Sequence, residues 1–165
     1  MSMNTKQAAA AAKSGYSTKE LVLDAMFIAL TYVFTAFVNV RLPIAANGGL
    51  IHLGNVPLFI CAILLGKRTG MLAGAFGMGL FDLLSGWTAW APFTLVIVGL
   101  MGYVSGLISE KLKVRPIIAN TVAVIAALII KIAGYYLTEG ILFGNWVAPL
   151  GSIPGNIIQV ATAGV

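Results

Sequence analysis

In a chain made mostly of apolar residues, the few side chains able to do chemistry are easy to find. Asp82 and Lys131 interrupt apolar runs, His52 and Asn55 open one such run, and Asn156 and Gln159 open another. Trp87, Trp90, Tyr135 and Tyr136 fall near the same boundaries. Carboxyl, ammonium, imidazole and amide groups orient a ligand, and aromatic rings give it faces to stack on, so the set suits capture of a small, flat, polar molecule. It does not suit catalysis. One histidine and no HExxH pattern leave zinc hydrolysis without ligands. Gly102-Tyr103-Val104-Ser105-Gly106 lacks the spacing of a serine nucleophile, and His52 precedes it where an intramembrane serine protease needs a later histidine. With no GxxxxGK[ST] loop, the chain is not itself an ATPase. Cys61, the single cysteine, sits inside an apolar run and reads as a small core residue. No metal or cofactor is expected.

The elements that must position these residues follow from composition. Of 165 residues, 59% are hydrophobic and 9% charged, and the mean hydropathy is +0.97. A soluble domain carries roughly 25% charged residues, so the reading is an integral membrane protein over its whole length. The net charge of +5 is spread over the ends of apolar segments and forms no aromatic-interleaved patch for nucleic acid. An all-α bundle of six transmembrane helices is expected in a single domain, residues 1–165. The helices fall at about 20–40, 51–66, 70–85, 92–108, 117–137 and 153–165, after a cytoplasmic lead-in at 1–19. Ser17 or Thr18 caps the first helix. Pro43, Asn47, Gly48 and Gly49 make residues 41–51 a loop. The sixth helix, at 13 residues, reads as truncated.

Basic residues orient the bundle. Lys6, Lys13, Lys19, Lys67, Arg68, Lys111, Lys113 and Arg115 all fall on one side of a six-helix arrangement, and Arg41 alone falls in the opposite loops. The positive-inside rule then puts both termini in the cytoplasm. At 1.5 Å per residue, Lys131 lies about 21 Å and Asp82 about 18 Å from the inner ends of their helices, in the outer half of the membrane. The opening turns of helices 2 and 6 stand at the same level, and Asn156 and Gln159, three apart, share a face. The inner halves read as almost free of polar groups. Ionisable groups in hydrocarbon mark function unless they pair, so a pocket open to the outside is expected. Asp82 and Lys131 suit either a structural ion pair or ligand contact, and Trp87 and Trp90 suit either an interfacial belt or the pocket wall. A second feature is Ala25-x-x-x-Ala29 in the first helix, which admits close approach by another helix; Gly70 and Gly74 repeat the pattern and also suit internal packing.

Together, Ala25-x-x-x-Ala29, the loop before GLIHLGNVPLFICAILLGKRTG, the glycine-rich MLAGAFGMGLFDLLSG and the PGNIIQ that opens helix 6 resemble the S component of energy-coupling factor (ECF) vitamin transporters. Within that family the chain looks most like the hydroxymethylpyrimidine or pyridoxine type (HmpT/PdxU-like). The resemblance implies a six-helix substrate-capture subunit of a bacterial cytoplasmic membrane, without a transport engine of its own, working with a transmembrane coupling subunit and two cytoplasmic ATPases. It implies that Ala25 and Ala29 dock the coupling subunit, and that the substrate site lies near Asn47, Lys131, Tyr135, Asn156 and Gln159. His52, Asp82, Trp87 and Trp90 complete the expected substrate-binding set. The alternatives are a self-contained facilitator or channel, acting as an oligomer through glycine-rich helices, and a purely structural membrane subunit.

Overall fold

The computed structural model describes residues 17–41 and 50–164. The described chain is helical apart from one small hairpin: α1 (Thr18–Phe37), β1 (Asn39–Arg41), β2 (Leu50–His52), α2 (Asn55–Leu65), α3 (Lys67–Leu84), α4 (Ala91–Lys111), α5 (Pro116–Phe143), a 3-10 turn (Ala148–Ser152) and α6 (Ile153–Gly164). Three of these helices, α1, α4 and α5, are long and apolar enough to cross a membrane.

Local chemistry sets the ends. Ser17 caps α1 in a reciprocal box: its hydroxyl accepts from the Glu20 N–H at 3.2 Å, and its own N–H donates to the Glu20 carboxylate at 2.9 Å. Asn39 closes the other end by donating to the carbonyls of Thr35 and Ala36. Proline near the start of α4 and of α5 needs no N–H there, and Gly144, left-handed at φ 60°, ends α5.

Three expectations need correction. The first helix stops at Phe37 and the second starts at Asn55, because Asn39–Arg41 pairs antiparallel with Leu50–His52. His52 therefore lies on a strand opposite Asn39, and the all-α reading is right except for this hairpin. The fifth helix runs past residue 137 to Phe143 and carries Glu139 inside the protein. The half of the bundle at the basic turns is not empty of polar groups. Asp24 is buried there, accepts from Thr69 Oγ1 at 2.7 Å and faces Arg68 at 3.6 Å.

Packing is inside out relative to a soluble protein. Leu64 is 73% exposed, Ile117 71% and Val96 68%, whereas Lys131 at 2% and Glu139 at 0% are among the largest buried side chains. In hydrocarbon an exposed leucine costs nothing, and helices associate through small residues and satisfied polar groups. Glycine supplies the close approach between α3 and α4: a Cβ on Gly102 would overlap the Gly70 backbone, and one on Gly74 would press on the Val98 carbonyl. Gly70 and Gly74 thus serve internal packing. Ala25 and Ala29 lie on the exposed face of α1.

Candidate substrate-binding site

One stripe of α5 explains how the site is built. Ala119, Ala123 and Ala127 are buried at every fourth position, and the same line continues into Lys131, Tyr135 and Glu139. Small residues let α5 pack tightly along its first half, and large polar ones open a space along its second. That space is a cavity lined by Leu50, His52, Phe81, Asp82, Trp87, Trp90, Lys131, Tyr135, Asn156 and Gln159. Its interior accommodates about 60 Å³, within an opening of about 440 Å³ that includes its mouth.

Each wall has a local cause. Gly86, at φ 86°, lets the chain turn back after α3, so that the Trp87 N–H reaches the Asp82 carbonyl at 3.0 Å and the Trp90 N–H the Trp87 carbonyl at 2.9 Å. This turn folds both indoles against the cavity, edge to face with ring centres 5.4 Å apart. The hairpin brings Leu50 and His52 to the same place, and α6 is tied to it: Gln159 Nε2 donates to the Leu50 carbonyl at 2.8 Å.

Lys131 is the centre of the polar set. Its Nζ donates to Gln159 Oε1 at 2.7 Å and stands 5.9 Å from the centre of the Tyr135 ring. The Tyr135 hydroxyl shares a 3.0 Å hydrogen bond with Thr94 Oγ1, beside the Asp82 carboxyl. Asp82 acts on Lys131 as a nearby charge, and the ammonium makes its hydrogen bond to Gln159. His52, on the hairpin, accepts from the Gly54 N–H through Nδ1 at 3.3 Å. Loss of water holds its imidazole pKa well below the ordinary histidine range, and repulsion by Lys131 adds to this, so it stands neutral as an acceptor or donor. Asn156 is 3% exposed and borders the cavity.

The cavity thus gathers His52, Asp82, Trp87, Trp90, Lys131, Tyr135, Asn156 and Gln159, all expected from the sequence, from the hairpin and four helices or their connections. Asn47 lies outside the described residues. Tyr136 does not line the cavity; its hydroxyl donates to the Trp146 carbonyl at 3.0 Å. Sequence reasoning misses Leu50, Phe81 and Thr94, which look like any other apolar-segment residues, and Glu139, whose neighbouring Gly140 and Gly144 suggest a loop. A signal for Glu139 exists in the spacing: it is four residues past Tyr135, itself four past Lys131.

A helical protein with a polar and aromatic cavity at one end of its bundle has the layout of a small-solute-binding membrane subunit. The model of the family described as the S component of the ECF-type riboflavin transporter matches residues 15–165. The chain belongs to this family of multi-pass membrane transporter subunits and is not an enzyme. It is 30% identical over 142 residues to the thiamine precursor transporter HmpT of Lactococcus lactis subsp. cremoris (strain MG1363), which covers 86% of this chain and 79% of that protein. It is also 34% identical over 106 residues to an uncharacterized protein from the gap 3′ region of Pyrococcus woesei, covering 64% of this chain and 69% of that one.

Proposed function

We propose that this S component captures a single-ring polar vitamin or vitamin precursor, of the hydroxymethylpyrimidine or pyridoxine kind, in the cavity around Lys131. The observation that carries this reading is the convergence of His52, Asp82, Lys131, Asn156 and Gln159 with Trp87, Trp90 and Tyr135 on one cavity. Size separates the candidates. An interior of about 60 Å³ suits expansion around one ring far better than around the three fused rings of a flavin, and the relative HmpT bears the name of a thiamine precursor transporter.

In this reading six helices span the membrane with both termini cytoplasmic, and the cavity opens outward. Substrate enters beside Trp87 and Trp90, stacks on the aromatic wall, and is oriented by the amides and by Lys131. Ala25 and Ala29, exposed on α1, dock the transmembrane coupling subunit, whose ATPase partners supply the energy. Tryptophan fluorescence titration of the purified chain with hydroxymethylpyrimidine, pyridoxine, thiamine and riboflavin tests the substrate. Saturable quenching by a single-ring compound at submicromolar concentration is expected. Tighter binding of riboflavin than of either single-ring compound overturns the size argument, and no response from a folded chain overturns the site. Ala25→Trp tests the docking face: co-purification with the coupling subunit should be lost while ligand affinity is unchanged.

A further inference from the structure

Glu139 is 0% exposed and lies one helical turn beyond Tyr135 on α5, behind the cavity wall. One carboxyl oxygen, Oε2, accepts from Ser152 Oγ at the end of the 3-10 turn, one residue before α6 begins. The other oxygen, Oε1, is buried and lacks a hydrogen-bond partner. The neighbour acting on Glu139 besides Ser152 is the indole of Trp90, whose Nε1 is also buried and also unpartnered. A buried donor and a buried acceptor thus stand beside one another, the indole N–H already acting on the carboxyl without reaching full hydrogen-bond geometry. A buried pair held short of full hydrogen-bond geometry is costly, so completing the bond favours a movement of the side chains that bear it.

The cavity supplies the reason for that movement. Its 60 Å³ interior is well below the roughly 150 Å³ of a cavity that takes up benzene, so a ring enters only if a wall yields. Trp90 is the wall that touches Glu139. It packs edge to face on Trp87 and on Phe143, with ring centres 5.4 and 5.9 Å away, so it turns between aromatic neighbours and not into open lipid.

We propose that Glu139 is a positioning residue of the binding site, a clasp that receives the Trp90 indole N–H when substrate enters and, through Ser152, fixes the start of the helix that carries Asn156 and Gln159. The inference rests on the substrate-capture reading. Occupancy pushes the indole onto Oε1, the completed hydrogen bond holds the wall in its displaced position, and the tie to Ser152 holds the amides of α6 against the ligand. Glu139 itself does not touch the substrate. Its effect therefore falls on the lifetime of the complex and not on the encounter.

The test is stopped-flow tryptophan fluorescence on wild type, Glu139→Ala, Glu139→Gln, Trp90→Phe and Glu139→Ala/Trp90→Phe, with hydroxymethylpyrimidine and pyridoxine as probes and folding checked by thermal melting. Glu139→Ala and Trp90→Phe should each speed dissociation about tenfold, the scale of one hydrogen bond to a carboxyl group, and the double variant no more than either single one. Association rates should stay within about twofold. Glu139→Gln keeps a side-chain oxygen for one of the two donors and should dissociate at a rate between wild type and Glu139→Ala. Additive effects of the two substitutions, or unchanged dissociation, overturn the clasp. Should Glu139→Ala not fold, the Glu139→Gln and Trp90→Phe pair decides by the same non-additivity. Failure of the wild type to bind either probe overturns the capture reading instead, and a wild type that binds while its variants match it overturns only the clasp.

Discussion

The two ends of the bundle both bury charged groups, but they use them differently. At the basic-turn end Asp24 accepts from Thr69 and faces Arg68, and Lys67 donates to Glu110 at 2.7 Å while its backbone N–H takes the second carboxylate oxygen at 3.0 Å. These groups pair with one another across α1, α3 and α4, Asp24 Oδ2 by charge alone, and they line no part of the cavity. At the other end Lys131, Asp82, His52 and Asn156 line a cavity, and the Lys131 ammonium donates to Gln159 with one of its three N–H groups. A charge that is matched within the protein holds helices together, and in the proposed reading one that faces a cavity is kept for a ligand.

Substitutions should separate the two ends. Lys131→Met should have the largest effect: ligand affinity falls at least about a hundredfold, as for loss of a buried charged donor, while thermal stability changes little because an apolar chain of similar length removes a desolvation cost. Large destabilisation with retained affinity would reverse the roles of the two ends. Asp24→Ala should do the opposite. Loss of the Thr69 acceptor and the Arg68 partner should lower stability by about 2 kcal/mol in a denaturation experiment and leave ligand affinity within about twofold. Asn156→Ala should weaken binding about tenfold in the fluorescence titration, the scale of one hydrogen bond, without moving the melting temperature. Glu110→Gln should have the smallest effect. The Lys67–Glu110 pair is about a third exposed on both sides, so stability should change by less than about 1 kcal/mol and affinity not at all. A larger shift would mean that this end is less wetted than its exposure indicates.

Much of the site is legible in the amino-acid sequence. Lys131 and Asp82 stand out because an ionisable side chain in an apolar run has few tolerable positions, and helical rise alone puts them at one level. Asn156 and Gln159 follow from their spacing on one face. For His52 the sequence indicates the right place but the wrong element: a three-residue strand is held by a partner strand, as His52 is by Asn39, and local pattern carries no trace of that. The burial of Asp24 is not legible, because a carboxylate near the start of a helix reads as solvated, and only Thr69 and Arg68 from α3 make burial tolerable.

The sequence by itself determined that this chain lives in a membrane, roughly where most of its helices lie, and that Lys131 and Asp82 interrupt apolar segments, because these depend on composition, periodicity and transfer energy along a single stretch. Tertiary structure alone decided which polar groups satisfy one another and which face empty space. That outcome depends on where glycines let α3 and α4 approach, where Gly86 turns the tryptophans inward, and how the hairpin meets Gln159, contacts between residues up to 109 positions apart that no local pattern encodes.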